Sequence, residues 1–137
     1  MSSLKDLAIT FRAAQLYAHA AHNQLTGCSF FADHAFAGEV YGAMEDAYDS
    51  VVERAIGTGE SLELLKMNCQ AADMVLDCSL KDSEHIFGQL LENEISILKA
   101  IEKASKGASY GTDNLLAQLA DDSEVRTYKI KQRTIGA

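Results

Sequence analysis

The 137-residue chain contains no proline, and this absence constrains its fold more than any other single feature. Proline is the commonest helix breaker, because its ring removes a backbone donor and clashes with the preceding turn. Its absence permits long uninterrupted helices, and the abundance of Ala, Leu and Glu favours them. The composition therefore predicts an all-α protein.

Apolar residues recur in four stretches at alternating spacings of three and four residues. This is the spacing of helices that pack lengthwise against neighbours. It predicts four helices, over about residues 3–27, 30–57, 80–106 and 110–125. The connection over about residues 58–78 is long, and its leucines predict one short helix within it. The last stretch, about residues 126–137, loses the helical period and is predicted to be the basic tail of a single-domain chain.

Two long helices, a long crossover and two more helices form the order of a ferritin-like four-helix bundle. A simple up-and-down bundle would have short connections instead. Periodicity alone predicts only a four-helix bundle, because many unrelated bundles share it. The ferritin-like order therefore needs support from individual residues.

The chain is acidic, with a formal net charge of -8. Such a surface repels phosphate backbones and attracts cations, so we expect weak or absent DNA binding. Phosphate contact would require an exposed tail that presents its four cations, which are Arg126, Lys129, Lys131 and Arg133. No segment has the layout of a signal peptide or a membrane span, and the three cysteines lack zinc-site spacing. We expect a cytoplasmic protein with reduced thiols and no membrane contact.

Two pairs of side chains on the first two helices are candidate metal ligands. Asp49 and Glu53 stand four residues apart, so both carboxylates project from one face of the second helix. His22 lies near the end of the first helix, and His34 lies in the first turns of the second. Histidine and carboxylate together suit iron or another borderline divalent ion. Each pair alone has a plainer explanation, as a solvated acidic surface or as hydrogen-bonded core histidines.

Distance decides where such a site could form. His34 and Asp49 are fifteen residues apart, or about 22 Å along a straight helix at 1.5 Å per residue. One ion cannot bridge that gap within a subunit, but a second copy of the helix, packed antiparallel across a two-fold axis, would bring the residues together. The ferritin site inside one bundle needs Glu-x-x-His motifs, and this chain has none. We therefore expect either a site shared between two subunits or no site.

The chain resembles the Dps-type mini-ferritins through the segment AHNQLTGCSFFADHAFAGEVYGAMEDAYDSVVERAIG. His22 and His34 keep the twelve-residue spacing of that family, and the run DSVVER supplies Asp49, Glu53 and Arg54. The later stretch TDNLLAQLAD is also similar. The resemblance implies a hollow homododecamer that oxidises ferrous iron, with peroxide as the preferred oxidant over oxygen, and stores the product as a mineral.

The resemblance also assigns roles to individual residues. It implies that iron is bound and oxidised by two histidines of one subunit and two carboxylates of its partner, namely His22, His34, Asp49 and Glu53. It places Asp113 and Asp121 at a pore on a three-fold axis, where iron would enter. Their plainer explanations are helix capping for Asp113 and solvation for Asp121.

The chain departs from the family at the fifth expected ligand, where Gly38 replaces a bridging aspartate. Glu39 is adjacent but points about 100° away around the helix. His19, one turn before His22, is a candidate extra ligand. The leading hypothesis is an iron-storing ferroxidase cage that protects against oxidative damage, with activity weakened at Gly38. The alternatives are a structural or DNA-shielding cage with a degenerate metal site, and an unrelated helical interaction module.

Overall fold

The computed structural model describes residues 3–135, and Met1, Ser2, Gly136 and Ala137 lie outside the described part. Five helices and no strands make up this part of the chain. Their bounds are α1 Ser3–Gln24, α2 Phe30–Gly57, α3 Leu64–Val75, α4 Ser83–Ser105 and α5 Tyr110–Ile135. The prediction of an all-α bundle with a short helix in the crossover is confirmed, with α3 as that short helix.

Helix α1 lies at the centre of the packing, because it contacts α2, α3 and α4. Its buried seam includes Leu7, Phe11, Ala14, Ala18 and Ala21, the stripe expected from the three-and-four spacing. Alanine side chains keep the distance between helix axes short, so α1 and α2 pack closely along their length. Between them the chain turns through Gly27, whose φ of 98° is readily adopted by glycine.

Helix α4 starts at a polar cap. The Asp82 carboxylate accepts a hydrogen bond from the backbone N–H of His85 at 2.9 Å, and the His85 ring lies 2.7 Å from the same oxygen. These bonds, the backbone one foremost, hold the pKa of Asp82 below its ordinary value. The cap therefore satisfies a backbone donor that would otherwise be unpaired at the helix start.

Helix α5 continues to Ile135, ten residues past the end expected at residue 125, so the basic tail up to Ile135 is helical. The apolar stripe through Leu116 and Leu119 does not stop there, since Ser123, Arg126, Ile130 and Arg133 extend it at the same spacing. Two of these inward positions hold cations that pair with acidic side chains. The apolar pattern of the sequence ends near residue 125 because charged residues occupy positions of α5 that face the bundle. The last two residues of the expected tail lie outside the described part.

A buried ion pair joins α4 to α5. Glu94 is 1% exposed and accepts hydrogen bonds from Ser123 Oγ at 2.7 Å and from Arg126 Nε at 2.8 Å. A second guanidinium nitrogen of Arg126 lies 3.1 Å from the other carboxylate oxygen. The pair is thus bidentate and almost fully removed from water, which makes it a specific tie between two helices.

Candidate metal site

His22 in the last turn of α1 and His34 in the second turn of α2 meet where these helices join. Their rings are stacked, with centroids 3.6 Å apart and planes 20° from parallel. His22 Nδ1 lies 2.7 Å from the backbone oxygen of His34, and His34 Nδ1 lies 2.6 Å from the backbone oxygen of His22. Each ring is therefore hydrogen-bonded to the backbone of the other histidine, so the two residues fix each other's orientation.

These two hydrogen bonds determine which nitrogen of each ring carries the proton. A carbonyl oxygen only accepts, so both Nδ1 atoms must be N–H donors. In the neutral ring, Nε2 then has a free lone pair. Neither Nε2 atom makes a hydrogen bond within the described residues, and neither is among the buried unpaired atoms. Both imidazoles thus present an accessible acceptor nitrogen with its tautomer set by a backbone carbonyl, an arrangement typical of metal-binding histidines.

The stacking also limits how the two rings could bind metal. A metal–nitrogen bond of about 2 Å lies in the plane of its imidazole. With nearly parallel planes and centroids 3.6 Å apart, the two lone pairs do not converge on one ion. Each ring in this arrangement offers a ligand to a separate ion.

Other aromatic rings continue the stack on both sides. Phe30 lies against the far face of His34, with ring centroids 4.8 Å apart. Tyr41 meets His22 edge-on at 5.4 Å and stacks on His19 at 4.3 Å. His19, the candidate extra ligand, therefore packs on Tyr41, which itself contacts His22.

Gly38 lies directly beneath the ring of His22. A Cβ atom at this position would be 3.2 Å from His22 Cε1 and 3.3 Å from His22 Nδ1. The imidazole already occupies the space that an aspartate side chain would begin to fill. The glycine is therefore an integral part of the stack, and any larger residue would require the His22 ring to shift.

The carboxylates lie in the other half of α2. Asp49 and Glu53 are exposed, and no hydrogen bond or ion pair joins either to another described residue. Helix α2 is continuous from Phe30 to Gly57, so the estimate of about 22 Å between His34 and Asp49 applies. Among residues 3–135, no three His, Cys, Asp or Glu side chains come together in a way that could hold a metal. The fold brings His22 to His34 but brings neither to Asp49 or Glu53.

The two candidate pore residues are exposed on α5. The cap of α5 is made by Ser109, whose Oγ accepts from the backbone N–H of Thr112 at 3.2 Å. Asp113 lies in the first turn, where a negative charge is favoured by the helix dipole. The cap considered for Asp113 is made by Ser109, and the pore position of Asp113 and Asp121 stays a prediction.

Sequence reasoning missed the ion pair beside the histidines. Asp33 is 3% exposed and binds Arg133 of α5 through two hydrogen bonds of 2.9 and 2.8 Å. The spacing of Arg126, Ile130 and Arg133 at intervals of four and three residues was the available signal, because it continues the inward face of α5.

Comparison with solved structures finds the same architecture in a crystal structure of Dps92 from Deinococcus radiodurans. The TM-score is 0.82 over 98% of this chain and 85% of that chain. The likeness establishes the fold. Sequence identity is only 16%, too low to carry over activity or ligands. No model of a known protein family matches the chain, and no characterised protein matches it in sequence.

Proposed function

We propose that this chain is the subunit of a Dps-type mini-ferritin cage that oxidises ferrous iron at sites shared between subunits and stores the product. The observation that carries the proposal is the stacked His22–His34 pair, with both Nδ1 atoms bonded to backbone carbonyls and both Nε2 atoms accessible. Histidines that only fill space in a core do not require an accessible Nε2 atom whose tautomer is fixed by a backbone carbonyl. The Dps fold of the structural neighbour supports the same assignment.

The chemistry follows from the donors available. Ferrous ion is the substrate, and imidazole nitrogen with carboxylate oxygen is a donor set that suits it. Each ion gives up one electron, so two ions reduce one peroxide molecule, whose O–O bond breaks to give two hydroxide ions. A pair of imidazoles that serve separate ions fits this two-electron reaction. Oxygen is the alternative oxidant, and removing ferrous iron and peroxide together protects against oxidative damage.

A two-fold axis completes each site with Asp49 and Glu53 of the partner. If α2 pairs antiparallel with its own copy about a point near Gly42, the histidine end of one helix meets the acidic end of the other. Gly42 suits this position, because a Cβ built there meets nothing within 4 Å. The pairing creates two equivalent sites at each interface.

Assembly is the first prediction. Large apolar side chains are exposed on the single chain, including Phe31 at 84%, Leu65 at 82% and Leu76 at 75%, and an oligomer would cover them. We expect light scattering to report a particle of twelve 14.9 kDa chains. A stable monomer at micromolar concentration would contradict both the cage and the shared site.

Ferrous oxidation is the second prediction, and it separates the proposal from a structural or DNA-shielding cage with a degenerate site. Gly38 is the observation that favours the alternative, since a family carboxylate is missing there. We expect peroxide to oxidise added ferrous ion faster in the presence of the assembled protein than in protein-free solution. Equal rates with and without the assembled protein would leave the structural cage as the function.

Weak or absent DNA binding is the third prediction. Arg126 and Arg133 are held in ion pairs with Glu94 and Asp33, so Lys129 and Lys131 are the tail cations left on the exposed surface of α5. Two cations on a chain of net charge -8 cannot hold a phosphate backbone firmly. We expect no retardation of duplex DNA in a gel at physiological salt. Salt-sensitive retardation, abolished by replacing both lysines with glutamate, would contradict this.

A cytoplasmic location is part of the same proposal. Cys28, Cys69 and Cys78 are all free thiols. Free thiols persist in a reducing compartment, where ferrous iron is also maintained. Among the described residues, no helix is both long and apolar enough to span a bilayer.

A further inference from the structure

The last turn of α5 is attached to the first turn of α2 by one ion pair. Arg133 donates through Nε to one oxygen of Asp33 and through Nη2 to the other, at 2.9 and 2.8 Å. The two residues are 100 positions apart in the chain. These hydrogen bonds raise the pKa of Arg133 above its ordinary value, as expected for a guanidinium held in a bidentate pair.

Arg133 is itself held from a third helix. Its guanidinium lies over the ring of Phe87 in α4, 4.8 Å from the centroid, and Phe87 is buried. A cation over an aromatic face is attracted by the ring quadrupole. Arg133 therefore connects the start of α2 to both α4 and α5.

In the first turn of α2, Phe30 packs against the core and stacks on His34, and Asp33 makes the side-chain hydrogen bonds to another helix. Ser29 occupies the cap position but makes no side-chain hydrogen bond to the helix. Phe31 and Ala32 are exposed on the single chain. The hydrogen bonds of the buried Asp33 carboxylate therefore join this first turn to α5.

We infer that Arg133 is a positioning residue for the His22–His34 pair, acting through Asp33, an inference that rests on the proposed function of that pair. Asp33 precedes His34, so fixing its direction around the helix also fixes that of His34. The reciprocal bonds of 2.6 and 2.7 Å and the 3.6 Å stack tolerate little rotation. Arg133 thus sets the geometry in which both Nε2 atoms are presented.

The test compares Arg133→Ala and Arg133→Lys with Lys131→Ala, which removes the same charge from an exposed position two residues away. Nitrogen NMR of the metal-free protein reports the tautomer of each imidazole. Free neutral histidine in water mostly carries its proton on Nε2, whereas this pair carries it on Nδ1. We expect wild type, Lys131→Ala and, in part, Arg133→Lys to show the Nδ1–H form for both rings. Arg133→Ala should lose it and bind ferrous ion about tenfold more weakly.

Asp33→Asn provides a second route, because it keeps the size of the side chain while removing its charge. Asp33→Asn should lose the Nδ1–H form of both rings, as Arg133→Ala does. The variant that combines Arg133→Ala with Asp33→Asn should bind ferrous ion no more weakly than either single variant. A folded Arg133→Ala protein whose imidazole spectrum matches wild type would overturn the inference. If wild type shows the locked tautomers but oxidises no iron, the proposed function fails while the positioning by Arg133 still stands.

Discussion

Assemblies mixed from two inactive variants should recover about a quarter of the wild-type rate of ferrous oxidation. One variant carries His22→Ala and His34→Ala, and the other carries Asp49→Ala and Glu53→Ala. Each variant alone should lose most of the oxidation activity. A ferrous ion that binds only the histidines or only the carboxylates does not regain the free energy needed to remove its bound water. In a random mixture, half of the two-fold interfaces join unlike chains. Each such interface contains one intact site and one that lacks all four ligands.

The controls for this experiment separate geometry from charge. A variant with Glu92→Ala and Glu102→Ala removes two exposed carboxylates from α4 and changes net charge as much as the acidic variant does. It should keep wild-type oxidation. Differently tagged chains, co-assembled and purified through both tags, establish that the variants share particles. An absence of recovery in such particles would mean that the histidines and carboxylates of different chains never form one site.

Replacing Arg126 with alanine should destabilise the protein by about 3–5 kcal/mol, the usual cost of breaking a buried ion pair. Glu94 would keep only its hydrogen bond from Ser123 and would remain buried as an unpaired charge. This is a large part of the total stability of about 5–15 kcal/mol typical of folded proteins. Urea unfolding, at one fixed chain concentration because assembly adds stability, measures the difference.

Two further variants show whether the unpaired charge of Glu94 causes the loss of stability in Arg126→Ala. Lys129→Ala removes an exposed cation from the same helix and should change stability by no more than about 0.5 kcal/mol. Glu94→Leu combined with Arg126→Met and Ser123→Ala replaces the pair and its buried hydroxyl donor by apolar side chains, and it should recover most of the loss. If the combined variant were as unstable as Arg126→Ala alone, the cost would lie in packing rather than in charge.

Sequence by itself determined the features that depend on neighbouring residues. The absence of proline and the three-and-four spacing of apolar residues predicted the helical class and the extent of α2, because helix formation responds to local periodicity. The rise of an α-helix by itself separates His34 from Asp49, whatever the packing of the other helices. The same arithmetic confined any complete site to an interface between subunits.

Tertiary structure alone decided which acidic side chains pair with the inward-facing cations of α5. The sequence predicts Arg126 and Arg133 to belong to a basic tail. Their acidic partners lie 32 and 100 residues away, so no local pattern identifies those partners. The contact of the His22 ring with Gly38 could not be predicted from the sequence for the same reason, because these two residues meet only when α1 packs on α2. Side chains distant in sequence acquire their partners through packing, and a sequence period carries no information about those partners.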